Sequence, residues 1–382
     1  MKYRYPCTGH ISIQGFGAFL ESEEQGSRYH LAQFRKALSD RFSAPFLTLV
    51  NSGSSANLVA ALALAEKVRA RGLPMTAAIS AFTFPTTVSA LSLAGFDLQI
   101  VDVTEHGFNI SVDALKALNP VPSVTAITHF LGFPCAVEEI ADYVHQAGCF
   151  LLQDCCETLG MEVNGRPVFL LGDYSTWSFY HPHHLSSYGG GAVISLTLED
   201  DLLADSITHW GRSCKCHIDE SLCTVPQGPA HQFTYERLGL NVELSELNAC
   251  FGRWQLLQYD RMEAERCRNY QLLYDRLCRV PQLQVWEAPD TNSSAFVFPI
   301  RLRNGMRIYD AFPILKAEGI EMRTLMGGVS NEQAAFRELL GTELLPNAHE
   351  MAEMTFFVGV HQTLPEEDVR HVAERLAVLL GT

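Results

Sequence analysis

The sequence predicts an α/β fold in which helices cover both faces of a mostly parallel β-sheet. Between about residues 45 and 200, short apolar runs alternate with segments of helical length, and this alternation indicates βαβ units. A long helical pattern over 244–277 follows, and the rest reads as a mixture of strands and helices. The length of 382 residues suits about two or three domains. We expect a large α/β domain over 1–250, whose N-terminal segment lies partly with the small domain, and a smaller α+β domain over 251–382.

The predicted elements follow one another in a regular order. Strands of the large domain are expected at 46–50, 76–80, 98–103, 124–129 and 150–154, with helices at 57–70 and 86–94. In the small domain we expect strands at 297–302 and 356–360, and helices at 308–318 and 366–380. Ligands of open α/β sheets bind beyond the carboxyl ends of the strands, so functional residues should come directly after these runs.

Composition narrows the class of protein. Hydrophobic residues make up 47% and charged residues 19% of the chain, a globular balance. No apolar run reaches the ~18 residues that span a membrane, and the N-terminus lacks the pattern of a signal peptide. We therefore expect a cytoplasmic protein without a membrane partner. The net charge of −15 argues against nucleic-acid binding, which needs a basic face.

Three features after predicted strands suggest a cofactor site. The turn 52–57 (SGSSAN) opens a helix, and its backbone N–H groups could hold a phosphate, although a serine-rich helix cap looks the same. Asp154 ends a strand, where a carboxylate can pair with the ring nitrogen of a pyridoxal cofactor; a turn or cap residue is the alternative. Phe84 could stack on a flat ring, or be an ordinary core residue.

The order and spacing of these features resemble the DegT/DnrJ/EryC1/StrS sugar-aminotransferase family over roughly residues 30–380. The segments 177–180 (WSFY) and 239–247 (GLNVELSEL) match two further family motifs. The resemblance implies the type I, aspartate aminotransferase-like fold of PLP-dependent transferases, with a seven-stranded sheet in the large domain. It implies a homodimer with a shared active site, in which Asn241 reaches the cofactor phosphate of the neighbouring subunit. The cofactor-binding residues that it implies are Ser54, Ser55, Phe84, Asp154, Glu157, Ser178 and Asn241.

The family's Schiff-base lysine is missing. Counting 29 residues from Asp154 reaches His183, and no lysine occurs between Lys116 and Lys215. Histidine cannot form a stable imine with the cofactor aldehyde, but it can act as a general base. Within the family, this replacement followed by a second histidine resembles the dehydratases that use pyridoxamine 5′-phosphate (PMP). We therefore expect His183 to be the catalytic base of a dehydration.

Four clustered cysteines suggest a metal site. Cys156, Cys214, Cys216 and Cys223 form the pattern C-x57-C-x-C-x6-C, and four thiolates can hold either an iron–sulfur cluster or zinc. The spacing resembles that of the iron–sulfur subgroup of 3-dehydratases acting on CDP-4-keto-6-deoxyglucose, apart from one residue in the last gap. This resemblance implies a 2Fe–2S cluster. No G-x-G-x-x-G follows a strand, so a separate flavin or iron–sulfur reductase is the expected electron donor.

The resemblance predicts removal of the C-3 hydroxyl of a nucleotide-linked, or related, 4-keto-6-deoxysugar, with electrons relayed through the cluster. The stretches 188–191 (YGGG) and 327–331 (GGVSN) depart from the family pattern and leave the sugar and its carrier open. Three alternatives remain: a cluster-free dehydratase that finishes by hydrolysis, an ordinary aminotransferase, and a degenerate aminotransferase fold that serves as a binding or regulatory protein and is stabilised by zinc.

Overall fold

The computed structural model describes residues 3–23, 26, 28–289 and 295–381. Its strands are β1 Phe46–Val50, β2 Thr76–Ser80, β3 Asp97–Val101, β4 Val124–Thr128, β5 Phe150–Asp154, β6 Glu162–Val163, β7 Arg166–Pro167, β8 Tyr174–Ser178, β9 Gly191–Ser195, β10 Leu283–Val285, β11 Phe298–Leu302, β12 Arg323–Thr324 and β13 Thr355–Val358. Its helices are α1 Phe16–Ser22, α2 Tyr29–Phe42, α3 Gly53–Ala70, α4 Pro85–Leu93, α5 Val112–Lys116, α6 Val137–Gln146, α7 Leu198–Thr208, α8 Glu246–Leu256, α9 Tyr259–Leu277, α10 Ile308–Ala317, α11 Arg337–Leu340, α12 Pro346–Met354 and α13 Glu366–Leu380.

The large sheet has seven strands in the order β1-β9-β8-β5-β4-β2-β3. Strand β9 runs antiparallel to β1 and β8, whereas the pairs β8–β5, β5–β4, β4–β2 and β2–β3 are parallel. The predicted α/β class with a mostly parallel, seven-stranded sheet is confirmed. Strands β2 to β5 appear where the apolar runs predicted them.

Both faces of this sheet are buried, as the near-continuous apolar strands require. Successive side chains of a strand point to opposite faces, so Leu151 packs into one core while Phe150 and Leu152 pack into the other. Helix α3 covers one face with a row of buried alanines that let it lie close to the strands.

The C-terminal part carries a second, antiparallel sheet in the order β10-β11-β13-β12. The N-terminal segment joins it, because Tyr5 forms a bridge with Ile320 and packs into the same core as Phe298 and Val358. The predicted placement of this segment with the small domain stays a prediction. The domain boundary at residue 250 stays a prediction.

The long helical pattern over 244–277 is two helices rather than one. Helix α8 is followed by a break at Leu257–Gln258, after which α9 begins at Tyr259. The break places the Tyr259 hydroxyl 3.1 Å from the carbonyl oxygen of Leu159, to which it donates a hydrogen bond. Apolar periodicity alone does not reveal such a change of direction.

Within the described ranges, no helix has both the length and the apolar character needed to cross a bilayer.

Candidate functional site

A cavity of about 950 Å³ opens at the carboxyl ends of the large-sheet strands. The turns and strand ends that follow β1, β2, β5 and β8 bring their side chains to its wall, as expected for an open α/β sheet. Six of the predicted catalytic and cofactor-binding residues line it: Ser54, Phe84, Asp154, Glu157, Ser178 and His183. They are distant in sequence, so the fold itself assembles the site.

The N-terminus of α3 forms one side of the cavity. Ser52 caps the helix, its hydroxyl oxygen accepting a hydrogen bond from the Ser55 N–H at 3.0 Å. Gly53, Ser54 and Ser178 surround the helix start, where backbone N–H groups favour an anion. The Ser55 hydroxyl instead donates to Asn51 at 2.6 Å, and Ser55 is not among the cavity-lining residues. Its role as a phosphate ligand stays a prediction.

Gly53 permits this close approach. A Cβ at this position would lie 2.7 Å from Cβ of Ser178 and 3.1 Å from Sγ of Cys156. We expect Gly53→Ala to lower the free energy of unfolding by about 1–3 kcal/mol, because the added methyl overpacks the turn, and to weaken PMP binding. Urea unfolding and PMP titration measure the two effects. Gly17→Ala is the control, since its added Cβ would meet no neighbouring group within 4 Å. Equal behaviour of the two variants would contradict the role of Gly53 in the turn that holds the phosphate.

Asp154 is held rigidly at the base of the cavity. Its Oδ2 accepts hydrogen bonds from Asn57 Nδ2 at 2.9 Å and from the Thr87 hydroxyl at 2.8 Å. Its Oδ1 accepts from the backbone N–H of Cys156 at 3.1 Å. The Asn57 side chain is itself fixed by the Thr176 hydroxyl. A buried carboxylate with three donors is oriented before any ligand arrives, which suits pairing with a protonated ring nitrogen.

His183 is half-buried on the cavity wall, with its ring stacked on Phe296 at a centroid distance of 5.0 Å. Burial, helped by the neighbouring His184, lowers the pKa of His183 to about 3, although Asp154 and a hydrogen bond to the backbone of Cys156 oppose this. The imidazole is therefore neutral at pH 7. Its ring lines the cavity, and its buried Nδ1 has no hydrogen-bond partner among the described residues.

Glu157 is a buried acid that lines the same cavity as His183. Burial raises the pKa of Glu157 from 4.5 to about 8, with a smaller contribution from Asp154 and an opposing hydrogen bond from the Leu131 N–H. That bond joins Leu131 N to Oε2 at 2.6 Å. Glu157 therefore carries a proton at neutral pH, whereas His183 does not.

The raised pKa of Glu157 makes stability depend on pH. Between about pH 4.5 and 8, the folded protein keeps a proton on Glu157 that the unfolded chain has released. The free energy of unfolding of the wild type should therefore fall with rising pH relative to Glu157→Gln, by at most about 1.4 kcal/mol per pH unit. Urea unfolding of both proteins from pH 5 to 8 measures this difference. A constant difference across the range would show that Glu157 ionises normally.

Asn241 does not line the cavity of its own chain. It is exposed and forms a bridge with His209. Neighbouring apolar side chains are exposed as well, including Leu238 at 96% and Leu247 at 60%. The predicted reach of Asn241 into a neighbouring subunit stays a prediction.

Sequence reasoning missed the cavity residues that come from the C-terminal part of the chain. Arg266 of α9 is fully buried and donates to the carbonyl oxygen of Phe296 at 2.6 Å. Tyr309, Arg323 and His361 complete this side of the wall. The small-domain elements meet the large sheet only in three dimensions, and no local motif marks these residues as a group.

The predicted metal ligands separate into two places. The sulfur atoms of Cys214, Cys216 and Cys223 lie together with a ring nitrogen of His231, all within 4.8 Å of one another. Cys156 is not part of this group; it lines the cofactor cavity. The four-cysteine set predicted from the sequence is therefore not assembled in the structure, which brings in a histidine that the cysteine spacing could not reveal.

Comparison with known proteins agrees with this architecture. The sequence profile of the DegT/DnrJ/EryC1/StrS aminotransferase family matches residues 9–377. A dTDP-4-dehydro-2,6-dideoxy-D-glucose 3-dehydratase from Saccharopolyspora spinosa is 31% identical over 351 residues, covering 86% of this chain and 75% of that protein. A dTDP-4-amino-4,6-dideoxy-D-glucose transaminase from Escherichia coli is 24% identical over 351 residues, covering 90% and 88% of the two chains.

Among solved structures, a GDP-4-keto-6-deoxy-D-mannose 3-dehydratase from Escherichia coli with bound hydrated PLP superposes with a TM-score of 0.88. The two chains are 22% identical, and the match covers 98% of this chain and all of the other. The predicted family and the predicted fold class are both confirmed. The relatives include dehydratases and transaminases, so similarity alone does not distinguish the two reactions.

Proposed function

The chain belongs to the DegT/DnrJ/EryC1/StrS aminotransferase family of PLP-dependent sugar enzymes, and we propose that it is a PMP-dependent 3-dehydratase of a nucleotide-linked 4-keto-6-deoxysugar. The observation that carries the proposal is His183 on the cavity wall, since no lysine is found among the described residues that line the cavity. Without a primary amine, the chain cannot hold the cofactor through a Schiff base. PMP, which already carries its amine, is the form that such a site can use.

The noncovalent shell fits this cofactor. The start of α3 and Ser178 would hold the phosphate, Asp154 the ring nitrogen, and Phe84 one face of the ring. Phe84 is half-exposed and faces the cavity, which leaves its ring free for stacking. When bound, PMP supplies an amine that condenses with the keto group and a ring that withdraws electrons.

The protein's own residues would supply the proton chemistry. Neutral His183 lines the cavity, and a ring nitrogen of its imidazole would accept the proton. Protonated Glu157 has Oε2 engaged by Leu131, so its other oxygen can offer a proton to a departing hydroxyl. A base and an acid in opposite protonation states at pH 7 suit elimination of water.

A nucleotide-linked substrate is proposed because the dehydratase relatives are named for dTDP- and GDP-linked keto-sugars. The cavity, at the upper end of the range for ligand sites, has room for a second ligand beside the cofactor. On its outer wall, exposed Tyr309 offers an aromatic face to the base. Exposed Arg323, which also pairs with Glu321 at 2.9 Å, offers a positive charge to the diphosphate.

We also propose that the reaction ends in a reduction. A 2Fe–2S cluster would pass electrons singly from a separate flavin or iron–sulfur reductase. The convergence of Cys214, Cys216 and Cys223 supports this part of the proposal. Cys156 lines the cofactor cavity, and the fourth donor beside the three sulfur atoms is His231; the set of four cysteine ligands stays a prediction.

A homodimer in the cytoplasm completes the proposal. The exposed apolar side chains around Asn241 would be covered by a second subunit, whose cofactor phosphate Asn241 could then contact.

The experiment that tests the dehydratase against a transaminase follows nitrogen and water separately. The protein is incubated with PMP, ¹⁵N-glutamate and, in turn, CDP-, dTDP- and GDP-linked 4-keto-6-deoxysugars. The masses of the products are then measured by mass spectrometry. We expect one substrate to lose water without gaining ¹⁵N. An amino-sugar that carries ¹⁵N would establish transamination and overturn the proposal.

A further inference from the structure

We infer that Arg266 is a positioning residue, which holds His183 and Glu157 in place through the backbone of Phe296. The inference rests on the proposed dehydration and deepens it, because His183 and Glu157 are the two groups proposed to move protons. Arg266 lies on α9, far along the chain from the strand ends that carry these two side chains.

Arg266 is buried although it carries a charge. Its side chain is 1% exposed and lies in the wall of the cavity, where a charged group needs partners. Its Nη2 donates a hydrogen bond of 2.6 Å to the carbonyl oxygen of Phe296 and a longer one of 3.5 Å to that of Ala295. Hydrogen bonds from charged donors are stronger than neutral ones, so the guanidinium fixes the chain at these two residues.

The ring of Phe296 supports His183. The two rings are stacked, with centroids 5.0 Å apart and an angle of 23° between their planes. The ring of His184 lies against the same phenyl group, with a centroid distance of 6.0 Å. A functional side chain is oriented by the packing of its neighbours, so the position of Phe296 limits the directions in which His183 can point.

The backbone of Phe296 also reaches Glu157. The Phe296 N–H donates to the carbonyl oxygen of Leu131 at 3.1 Å. The Leu131 N–H in turn donates to Oε2 of Glu157 at 2.6 Å. The carboxyl group of Glu157 is therefore held by a turn that Phe296 holds from its other side.

The turn at Leu131 needs this support. Leu131 has a φ of 58°, in the left-handed region that side chains other than glycine disfavour. Such a conformation persists where the surrounding contacts hold it. The next residue, Gly132, brings the two segments into close contact, since a Cβ there would lie 2.3 Å from the nitrogen of Phe296. Loosening Phe296 should therefore release the turn and with it the donor to Glu157.

Both proposed proton-transfer groups thus depend on the short segment that Arg266 fixes. Misplacement of a reacting group by about 1 Å can cost about 10²-fold in rate. The residues proposed to hold PMP lie elsewhere, at the start of α3, at Phe84 and at the ends of β5 and β8. Loss of the Arg266 hydrogen bonds should therefore slow the chemistry and leave PMP affinity nearly unchanged.

The first test combines a rate with chemical rescue. Arg266→Ala should lower the single-turnover rate of water loss by about 10–100-fold, with little change in the dissociation constant of PMP. Added guanidinium ion should restore part of the rate, because the variant leaves a space of that shape in the cavity wall. Arg261→Ala is the control, since Arg261 is an exposed residue of the same helix; it should have the wild-type rate and no response to guanidinium.

A matched pair decides the question if Arg266→Ala does not fold. Lysine at this position keeps a charged donor, whereas methionine fills similar space without one. Arg266→Lys should therefore retain more of the rate than Arg266→Met at equal PMP affinity. Equal rates in the two variants would overturn the inference, as would a wild-type rate in Arg266→Ala.

Amide hydrogen exchange provides a second readout that needs no sugar. We expect the amides of Leu131 and Phe296 to exchange faster in Arg266→Ala and in Arg266→Met than in the wild type, because the turn opens more often. Exchange in β5 should stay the same, and guanidinium should slow exchange at Leu131 again in Arg266→Ala. Unchanged exchange at both amides would overturn the positioning role. If the wild type releases no water at all, the proposed dehydration fails, while the exchange measurement still reports on Arg266.

Discussion

Replacing His183 with asparagine is expected to slow loss of water from the substrate by about 10²–10⁴-fold, the usual contribution of a general base. Asparagine has a similar reach and can stack on Phe296, but it cannot take up a proton. PMP affinity should change little, because the phosphate and ring contacts come from other residues. Single-turnover kinetics with preloaded PMP measures the chemical step without the electron donor.

Two variants control this expectation. His181→Asn changes a nearby histidine that does not line the cavity and should keep most of the rate. His183→Lys should gain a covalent link to PLP that borohydride makes permanent, since lysine supplies the missing amine. Full activity in His183→Asn would show that His183 is not the catalytic base. A borohydride-trapped link in the wild type would show that the protein does form a Schiff base.

Replacing Asp154 with asparagine is expected to lower the dehydration rate by at least about 10²-fold. The change removes the fixed negative charge that keeps the ring nitrogen protonated. The amide oxygen of asparagine can still accept from Asn57 and Thr87, whereas its NH₂ group cannot accept from the Cys156 N–H. With two of the three hydrogen bonds kept, the fold should survive and the loss should be mainly chemical. The absorption spectrum of bound cofactor and the single-turnover rate together report the two effects.

Asp97→Asn is the matched control, because Asp97 is an exposed residue at the opposite end of its strand from the cavity. It should have wild-type kinetics. An Asp154→Asn variant with wild-type rate would mean that Asp154 is only a structural residue of the Asn57 and Thr87 network.

Much of the large domain could be predicted from the sequence, because its strands are buried on both faces and appear as apolar runs. The run FLLQD is β5, and the serine-rich turn after β1 begins α3 as expected. The break at Leu257–Gln258 could not be predicted, since no residue of the helical pattern marks it. Helical periodicity continues on either side of such a break.

Some residues of the candidate site could be predicted from the sequence, and others could not. Asp154, Ser178 and His183 follow strands, and their order along the chain placed them together. His231 lies 8 residues beyond Cys223 and carries no sign of metal binding in the sequence. The ends of the loop that carries these residues pair through a hydrogen bond from the Ser213 N–H to the Thr234 carbonyl oxygen at 3.0 Å. This closed loop brings His231 to the three sulfur atoms.

Cys156 is predicted as a metal ligand from the cysteine spacing and its resemblance to the iron–sulfur dehydratases, and spacing does not say which way a side chain points. Its position directly after the end of β5 makes it part of the wall that also contains Asp154. The structure therefore places Cys156 in the wall of the cofactor cavity, outside the group formed by Cys214, Cys216, Cys223 and His231.

The measurement that tests the central claim most directly follows the oxygen at C-3. A 4-keto-6-deoxysugar nucleotide labelled with ¹⁸O at C-3 is mixed with PMP-loaded protein, without reductase, and the released water is analysed by mass spectrometry. The account predicts one H₂¹⁸O for each PMP-bound subunit, and none from PMP-loaded His183→Asn on the same timescale. Retention of ¹⁸O in the sugar, while the keto group is converted to an amine, would contradict it.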